Sequence, residues 1–168
     1  MNIKLMISDI DGVWTDGGMY YFDNGVEAKK FNTSDSAGIL LAKIAGIDVI
    51  IVSGENSNAT KDRMAKLNIK EYHLGVKNKV QLVEDIAKSR NIDLSEIAFI
   101  GDEVNDHALL RKVGFSSCPQ SAPDYTKDIV NYITPSVGGM GAFRDFVIEI
   151  LKRQGSFEDA FNQLTDKK

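Results

Sequence analysis

Three short runs of apolar residues, unbroken by alternating polar positions, set the strongest limit on the fold. They are "IKLMIS" (Ile3 to Ser8), "DVIIVS" (Asp48 to Ser53) and "IAFIG" (Ile97 to Gly101). Such runs are typical of parallel strands that are covered on both faces. Two weaker candidates for later strands follow, "GFSSC" (Gly114 to Cys118) and "IVNYI" (Ile129 to Ile133). The pattern therefore predicts a buried parallel sheet.

Segments of helical periodicity separate these runs. Apolar residues recur at spacings of three and four in four of them: Ser34 to Gly46, Asn58 to Ile69, Lys79 to Ile92, and Val104 to Gly114. Alternating strands and helices predict an α/β fold with a doubly wound parallel sheet of the Rossmann type, in which ligands bind at the carboxyl ends of the strands. The 168 residues suffice for one substantial core, so we predict a single domain over residues 1–168.

Two further segments depart from the alternation. "MYYFDNGVEAKKF" (Met19 to Phe31) has an Asp-Asn-Gly turn between aromatic and β-branched residues, which predicts a β-hairpin. We expect it to be a flap, over about residues 14–33, inserted after the first strand. At the other end, a glycine-rich loop at Gly138 opens an amphipathic helix, and a short helix follows around Phe157 to Leu164. These make up a C-terminal tail over about residues 138–168.

Composition excludes several classes of function. The net charge of -4 and scattered basic residues give no basic face for nucleic acid. Cys118 is the chain's one cysteine, so no intramolecular disulfide can form, and we expect it to be a small core residue. No apolar run approaches the roughly 18 residues that would cross a bilayer, and no signal peptide precedes the first strand. We therefore expect a cytoplasmic protein without a membrane partner.

Polar residues follow the three strong strands directly. Asp9 and Asp11 come after the first, Ser53 after the second and Asp102 after the third, while Lys79 opens the helix between the last two. Carboxyl ends of parallel strands meet at one edge of a sheet, so we expect these side chains to lie together. Carboxylates this close repel one another unless a cation offsets their charge, and Mg²⁺ prefers oxygen ligands. The set predicts magnesium-assisted phosphoryl transfer.

Each residue has a place in that chemistry. Asp9 would attack a phosphate monoester, with the metal and Lys79 stabilising the charge of the phosphoryl oxygens. Ser53 would donate a hydrogen bond to one of those oxygens. Asp11, two positions further along an extended chain, would protonate the leaving alcohol and then activate water against the aspartyl phosphate.

The motifs "DIDGV", "IVSGE", Lys79 in "VKNKVQ", and "GDEVND" stand in the order and spacing of the four motifs of the haloacid dehalogenase superfamily of phosphatases, which the whole chain resembles. The resemblance implies that Asp9 is the nucleophile and that Asp11 is the acid and base, whose backbone carbonyl also binds magnesium. It implies that Ser53 and Lys79 bind phosphate and that Asp102, with Asp9 and Asp11, holds the metal. Asp106 matches the second acid of the last motif and is expected to act behind the metal ligands.

The chain leaves no room for the cap domain that many haloacid dehalogenase enzymes carry. Only 42 positions separate Asp11 from Ser53, and 26 separate Ser53 from Lys79. "DGGMYY", "FNTSDSAG" and "GGMGAFRDF" resemble the capless branch whose members act on phosphorylated 3-deoxy-2-keto sugar acids. That resemblance implies a homotetramer in which the hairpin makes the subunit contacts and a neighbour's C-terminal tail covers the site.

Within this branch, the position after the "SG" of the second motif separates two kinds of substrate. Enzymes of the octulosonate type typically have an arginine there, whereas this chain has Glu55, followed by Arg63 and Lys66, and so resembles the nonulosonate type. We therefore favour a nonulosonate (KDN or N-acylneuraminate) 9-phosphate, with 3-deoxy-D-manno-octulosonate 8-phosphate as the alternative. Arg63 and Lys66 share a helix face and would bind the sugar-acid carboxylate, or else are surface charges.

The remaining candidate residues have two readings each. Thr33 and Asp35 either line the substrate pocket or cap the helix that follows. Arg144 either reaches a neighbouring subunit's substrate or pairs locally with Asp145 or Glu149.

Aromatic and histidine residues are assigned structural places. We expect Trp14, Tyr20, Tyr21 and Phe22 to pack at an interface, since no basic patch accompanies them. His73 and His107 lack the spacing of metal ligands.

Two other classes of function share parts of this pattern. A phosphoacceptor signalling domain also combines acids, magnesium, a hydroxyl residue and a lysine, but its acidic pair is normally adjacent, and here the acids are spaced by one residue. An inactive tetramerisation module would have eroded motifs, and all four motifs are intact here. We therefore expect a magnesium-dependent phosphatase.

Overall fold

The computed structural model describes residues 1–166, in which parallel strands and helices alternate along the chain. The strands are β1 (Leu5–Ser8), β2 (Tyr20–Tyr21), β3 (Glu27–Ala28), β4 (Asp48–Val52), β5 (Tyr72–His73), β6 (Ile97–Ile100), β7 (Phe115–Cys118) and β8 (Tyr132–Ile133). The α-helices are α1 (Asp35–Ile44), α2 (Asn58–Lys66), α3 (Lys79–Arg90), α4 (His107–Leu110), α5 (Asp124–Lys127), α6 (Ala142–Gln154) and α7 (Phe157–Thr165). Two 3-10 turns cover Leu94–Glu96 and Val104–Asp106.

Six of the strands form one parallel sheet in the order β5-β4-β1-β6-β7-β8. Strand β1 lies between β4 and β6, with Leu5 opposite both Asp48 and Ile97. The chain fills one side of β1 with β4 and β5 and then crosses to fill the other side. The predicted doubly wound parallel sheet is therefore confirmed, and the point where strand order reverses lies at β1, where such folds bind ligands.

Helices cover both faces of the sheet and explain the unbroken apolar runs. On one face, Met6 and Ile51 pack in a cluster with residues of α1, α6 and α7. On the other face, Leu5, Ile7 and Ile50 pack with residues of α3 and α4. Because successive residues of a strand point to opposite faces, a strand covered on both sides needs apolar residues at every position.

The β-hairpin and the missing cap agree with the sequence. Strands β2 and β3 pair antiparallel, and the turn between them has Gly25 at a φ of +78°. Between β1 and β4 the chain holds this hairpin and α1, and between β4 and α3 it holds α2 and β5. Within residues 1–166, no cap domain is inserted at either place. The hairpin exposes 43%, 70% and 57% of Tyr20, Tyr21 and Phe22, respectively.

Several boundaries differ from the prediction. Strand β5 was not predicted, since two partly exposed residues give no pattern. The helix predicted over Val104 to Gly114 is a 3-10 turn followed by the short α4. It ends early because the backbone N–H of Gly114 donates to the carbonyls of Leu94 and Ile97 and so directs the chain into β7. The short helix α5 was also not predicted.

Burial moves the start of the predicted flap to a later position and shows how the predicted tail packs. Val13, Trp14 and Thr15 are buried, so the flap begins after them. Helix α6, the amphipathic helix of the predicted tail, packs in the core, with five of its large apolar side chains fully buried: Phe143, Phe146, Val147, Ile150 and Leu151. The last two positions of the predicted tail, 167–168, lie outside the described residues.

The prediction that Trp14 packs at an interface is wrong. Its side chain is fully buried and stacks on Phe143, with ring centroids 4.3 Å apart. Its indole N–H donates to the Ser8 hydroxyl at 2.9 Å. The reason is a tight turn after β1, in which the N–H groups of Val13 and Trp14 both donate to the Ile10 carbonyl and fold the ring inward.

Two smaller expectations concern the interior and the membrane. Cys118 is buried at the end of β7, as predicted for a core residue, and burial raises the pKa of its thiol to about 11. Among the described residues, no helix combines the length and the hydropathy that crossing a bilayer requires.

Replacing Trp14 by alanine should lower the free energy of unfolding by about 3–5 kcal/mol, because it leaves a cavity beneath α6 and removes the hydrogen bond to Ser8. Leu40→Ala is the control, since 48% of Leu40 is already exposed on α1; we expect it to cost less than about 1 kcal/mol. Urea denaturation measures both. Equal losses in the two variants would contradict the core position of Trp14.

Candidate active site

The polar residues predicted to meet at the carboxyl edge of the sheet do meet there. Asp9 follows β1, Ser53 follows β4, and Asp102 lies two positions after β6. They line a cleft of about 380 Å³, together with Asp11, Gly12, Gly17, Gly54, Glu55, Glu103, Val104 and Asn105. Three parallel strands that are far apart in the sequence thus bring the side chains that follow them to one place.

Asp9 is nearly enclosed, with 5% of its surface exposed. Its backbone N–H donates to the Ile100 carbonyl at 3.0 Å, which fixes the residue beyond the end of β1. Its Oδ1 lies 3.0 Å from the Lys79 ammonium as an ion pair but has no hydrogen-bond partner. Burial, together with the charge of Asp106, raises the pKa of Asp9 to about 7, although Lys79 opposes the shift.

Negative charge dominates the site. Carboxylate oxygens of Asp9, Asp102 and Asp106 all lie within 4.8 Å of one another. Burial and then the charges of Asp9 and Asp106 raise the pKa of Asp102 to about 8. Without a further cation, both Asp9 and Asp102 therefore tend to hold a proton near neutral pH.

Lys79 supplies the positive charge within this group. It is the first residue of α3, and Asn78 caps that helix by accepting a hydrogen bond from the backbone N–H of Gln81. Only 4% of Lys79 is exposed, so it is not a solvated surface lysine. Burial opposes its charge, but the carboxylates of Asp9 and Asp106 together hold the pKa of Lys79 above its usual value.

Asp106 is fully buried, and both of its carboxylate oxygens are occupied. Oδ1 accepts a hydrogen bond from Lys79 at 2.6 Å, and Oδ2 accepts from the backbone N–H of Asp102 at 3.1 Å. Because both Asp106 oxygens already accept hydrogen bonds, we keep the prediction that Asp106 acts behind the metal ligands, by holding Lys79 and the loop of Asp102 in position.

The remaining oxygen atoms suit a hard divalent cation. The buried Asp9 Oδ1 has no hydrogen-bond partner among the described residues. The atoms nearby that could bind a metal are carboxylate and carbonyl oxygens, which Mg²⁺ prefers as ligands to nitrogen or sulfur. Gly12 has a φ of +79°, and a Cβ on it would overlap the Asp102 carboxylate, so only glycine leaves room for that carboxylate. Asp9, the backbone carbonyl of Asp11, and Asp102 remain the predicted ligands.

Ser53 faces the cleft with its hydroxyl hydrogen available. Its Oγ accepts a hydrogen bond from the backbone N–H of Glu55 at 3.2 Å, and the residue is 1% exposed. Ser57, not Ser53, lies at the N-cap of α2, so Ser53 does not serve as a helix cap. A hydroxyl in this position is placed to donate to a phosphoryl oxygen.

Lys29 is a site residue that the sequence analysis missed. Its ammonium lies 2.6 Å from Asp11 Oδ1, and its side chain is 1% exposed. It directly follows β3, so the hairpin carries it to Asp11. The sequence offered no signal for it, because two adjacent lysines at the end of a hairpin are typical of a solvated surface.

Among the predicted substrate-binding residues, Glu55 lines the cleft. Thr33 is exposed and is not among the residues that line it. Asp35 is fully buried, and its Oδ1 accepts a hydrogen bond from the backbone N–H of Arg144 at 3.0 Å. Burial raises the pKa of Asp35 to about 6. Asp35 therefore joins α1 to α6.

The three predicted basic residues lie outside the cleft lining in this chain. Arg63 donates to the Asn32 carbonyl at 2.9 Å, and Lys66 is exposed on α2. Arg144 pairs with Asp145, with Nη2 2.8 Å from Oδ1, which is the local alternative given for it. Their predicted contact with a sugar acid stays a prediction.

A glycine-rich loop before α6 packs against the backbone that follows β1. The backbone of Gly138 packs so closely on the Gly12 carbonyl that a Cβ would overlap it. Gly139 donates its N–H to the Val13 carbonyl at 3.0 Å. The loop thereby supports the segment that carries Asp11.

Comparisons with known proteins agree with this geometry. Residues 73–142 match the family model described as haloacid dehalogenase-like hydrolase. The 3-deoxy-D-manno-octulosonate 8-phosphate phosphatase KdsC of Haemophilus influenzae is 37% identical over 92% of this chain and 86% of its own length. The enzyme of the same name from Escherichia coli K12 is 35% identical over 96% of this chain and 86% of its own length.

Solved structures give the same result. The 3-deoxy-D-manno-octulosonate 8-phosphate phosphatase of Moraxella catarrhalis, in complex with magnesium, phosphate and KDO, superposes with a TM-score of 0.92 at 32% identity, covering 96% of this chain and 93% of that one. The cobalt-bound phosphatase of Haemophilus influenzae superposes with a TM-score of 0.88 at 35% identity, covering 95% and 96%.

Magnesium should raise the melting temperature more at about pH 8.5 than at about pH 5.5. The raised pKa values of Asp9 and Asp102, to about 7 and about 8, mean that protonation favours the folded state. The stability that protonation of Asp9 and Asp102 contributes is fully present below the ordinary carboxyl pKa and is lost as the pH rises through the raised pKa values. At the higher pH a bound cation stabilises the ionised carboxylates in place of the protons. Differential scanning fluorimetry with magnesium or EDTA measures the effect.

Asp102→Asn is the control for this prediction, since it removes one predicted ligand and one of the repelling charges. Its melting temperature should respond little to magnesium at either pH. An equal magnesium effect at both pH values in the wild type, or an undiminished effect in Asp102→Asn, would contradict the metal site.

Proposed function

Because this chain belongs to the haloacid dehalogenase-like hydrolases and is a phosphoric monoester hydrolase, we propose that it is a magnesium-dependent phosphatase of 3-deoxy-D-manno-octulosonate 8-phosphate. One observation carries the proposal: Asp9, Asp102 and Ser53 line one cleft at the carboxyl edge of the sheet, and the buried Lys79 ammonium lies 3.0 Å from Asp9. The names of the relatives support the sugar acid, and the Moraxella catarrhalis complex supports magnesium.

The eight-carbon substrate replaces the nine-carbon one favoured by the sequence. That preference depended on Glu55, Arg63 and Lys66. Of these, Glu55 lines the cleft, whereas Arg63 is engaged with Asn32 and Ser36, and Lys66 is exposed outside it. Relatives at 35–37% identity over most of the chain bear the octulosonate name. The nonulosonate 9-phosphate is kept as the competing substrate in the test.

Phosphoryl transfer to the enzyme is the first step. A carboxylate oxygen of Asp9 attacks phosphorus, and the bond from phosphorus to the sugar oxygen breaks. Asp11 gives its proton to that oxygen, so the sugar acid leaves as an alcohol. Lys79 and Ser53 bind the phosphoryl oxygens while charge spreads over them.

Hydrolysis of the aspartyl phosphate completes the cycle. Asp11, now a carboxylate, takes a proton from water as the water oxygen attacks phosphorus. The bond to Asp9 breaks, inorganic phosphate leaves, and both carboxyl groups return to their starting state. A bound magnesium ion offsets the charge that Asp9, Asp102 and the phosphate bring together.

Self-association and cytoplasmic location complete the proposal. The exposed aromatic side chains of the hairpin, Tyr20, Tyr21 and Phe22, are the surface on which we place the subunit contacts of a homotetramer. The resemblance to the capless branch supports this assembly.

Asp9→Asn should lower kcat by at least about 10³-fold, because the amide is a far weaker nucleophile. Its fold should be retained, since the substitution removes a charge from a crowded acidic cluster. Phosphate release from the sugar-acid phosphate measures the activity. Asp85→Asn, an exposed carboxylate on α3, serves as control and should keep wild-type activity. Near-normal turnover by Asp9→Asn would refute its role as nucleophile.

Comparison of kcat/KM for the eight- and nine-carbon acid phosphates tests the substrate. We expect the eight-carbon ester to be preferred by about tenfold or more, the lower end of the discrimination that one extra carbon in a substrate gives at a fitted site. Glu55→Ala should raise KM for the sugar-acid phosphate and leave KM for an aryl phosphate nearly unchanged, while Glu84→Ala, outside the cleft lining, should alter neither. A preference for the nine-carbon ester would overturn the substrate assignment.

A further inference from the structure

Lys29, which lies outside the four sequence motifs, forms a partly buried ion pair with Asp11. The Lys29 ammonium lies 2.6 Å from Asp11 Oδ1, and 1% of the lysine side chain is exposed. Its next carboxylate neighbour, Glu27, is 3.9 Å away. Burying an ammonium so completely is unfavourable unless it is paired, so the pair with Asp11 holds the lysine in this position.

The pair leaves the two oxygens of Asp11 in different surroundings. Oδ1 accepts the hydrogen bond from Lys29, whereas Oδ2 is buried and has no partner among the described residues. A hydrogen bond from a charged donor is short and directional, so it restrains rotation of the carboxyl group. Oδ2 is therefore the oxygen that stays free to exchange a proton with a substrate.

We propose that Lys29 is a positioning residue, which holds the Asp11 carboxyl group so that Oδ2 meets the leaving oxygen of the substrate. The inference rests on the proposed phosphatase mechanism and assigns to the hairpin a part in it. In the first step the proton passes from Asp11 Oδ2 to the sugar oxygen as the phosphorus–oxygen bond breaks. In the second step a proton of the attacking water returns to Oδ2, while Lys29 keeps its own protons throughout.

The rate that is lost when Lys29 no longer positions Asp11 depends on the leaving group of the substrate. A sugar alkoxide is a poor leaving group and needs the proton, whereas a nitrophenolate leaves without it. General acid catalysis contributes about 10² to 10⁴-fold to such steps. The ratio kcat/KM reports the steps up to departure of the leaving group, so it isolates this transfer from the later hydrolysis.

The adjacent Lys30 offers a matched control. It belongs to the same hairpin, but 61% of its side chain is exposed, and its nearest carboxylate oxygen, on Asp16, is 3.6 Å away. Replacing Lys30 by methionine makes the same chemical change in the hairpin as Lys29→Met but leaves the hydrogen bond to Asp11 in place.

The experiment measures kcat/KM of Lys29→Met, Lys29→Arg and Lys30→Met on 3-deoxy-D-manno-octulosonate 8-phosphate and on p-nitrophenyl phosphate. We expect Lys29→Met to lose about 10²-fold on the sugar ester and less than about threefold on the aryl ester, with KM little changed. Lys29→Arg should recover part of the loss on the sugar ester, because its guanidinium can reach the same oxygen. Lys30→Met should match the wild type on both esters.

Equal losses on the two esters would overturn the inference, since they would mean that Lys29 merely supports the fold. So would an undiminished rate on the sugar ester. If Lys29→Met fails to fold, as judged by thermal unfolding, Lys29→Gln provides the same comparison with a neutral side chain. A wild-type enzyme that hydrolyses neither ester would instead refute the proposed function, and the two failures are thereby distinguished.

Discussion

Mutual repulsion among carboxylates at one edge of the sheet is the constraint on which the rest of the structure depends. Parallel strands that stop at the same edge bring Asp9 and Asp102 together, and Asp106 lies beside them. Lys79 opposes this charge from within the group but leaves the pKa of Asp9 at about 7 and that of Asp102 at about 8. A divalent cation between them would offset this repulsion and keep the Asp9 and Asp102 carboxylates ionised when a phosphate ester binds.

The loops around the cleft follow from that crowding. Gly12 has no side chain where the Asp102 carboxylate lies, and Gly138 packs directly against the Gly12 carbonyl. Asp106 ties the Asp102 loop to Lys79 through its two oxygens. On the open side, the hairpin brings Lys29 to Asp11. Rigid strands thus place the acids, and the segments between strands set the direction in which each acid points.

Sequence patterns predicted the sheet and the strand-end residues because both leave local signals. Central strands covered on two faces give unbroken apolar runs, and the residues after them carry the motifs. Lys29 left no signal, since its partner is 18 positions away across a hairpin whose path the sequence does not specify. Trp14 was misplaced because burial of an aromatic residue depends on a local turn. Arg63 lies on α2, but the groups that its side chain meets depend on how α2 packs, which the sequence does not specify.

The most direct test of the central claim is anomalous scattering from crystals grown with Mn²⁺ in place of Mg²⁺. A single strong peak bounded by the oxygens of Asp9 and Asp102, and absent from crystals of Asp102→Asn, is the result that the account predicts. Wild-type crystals whose only peaks lie away from these two carboxylates, or that hold no peak at saturating Mn²⁺, would contradict it.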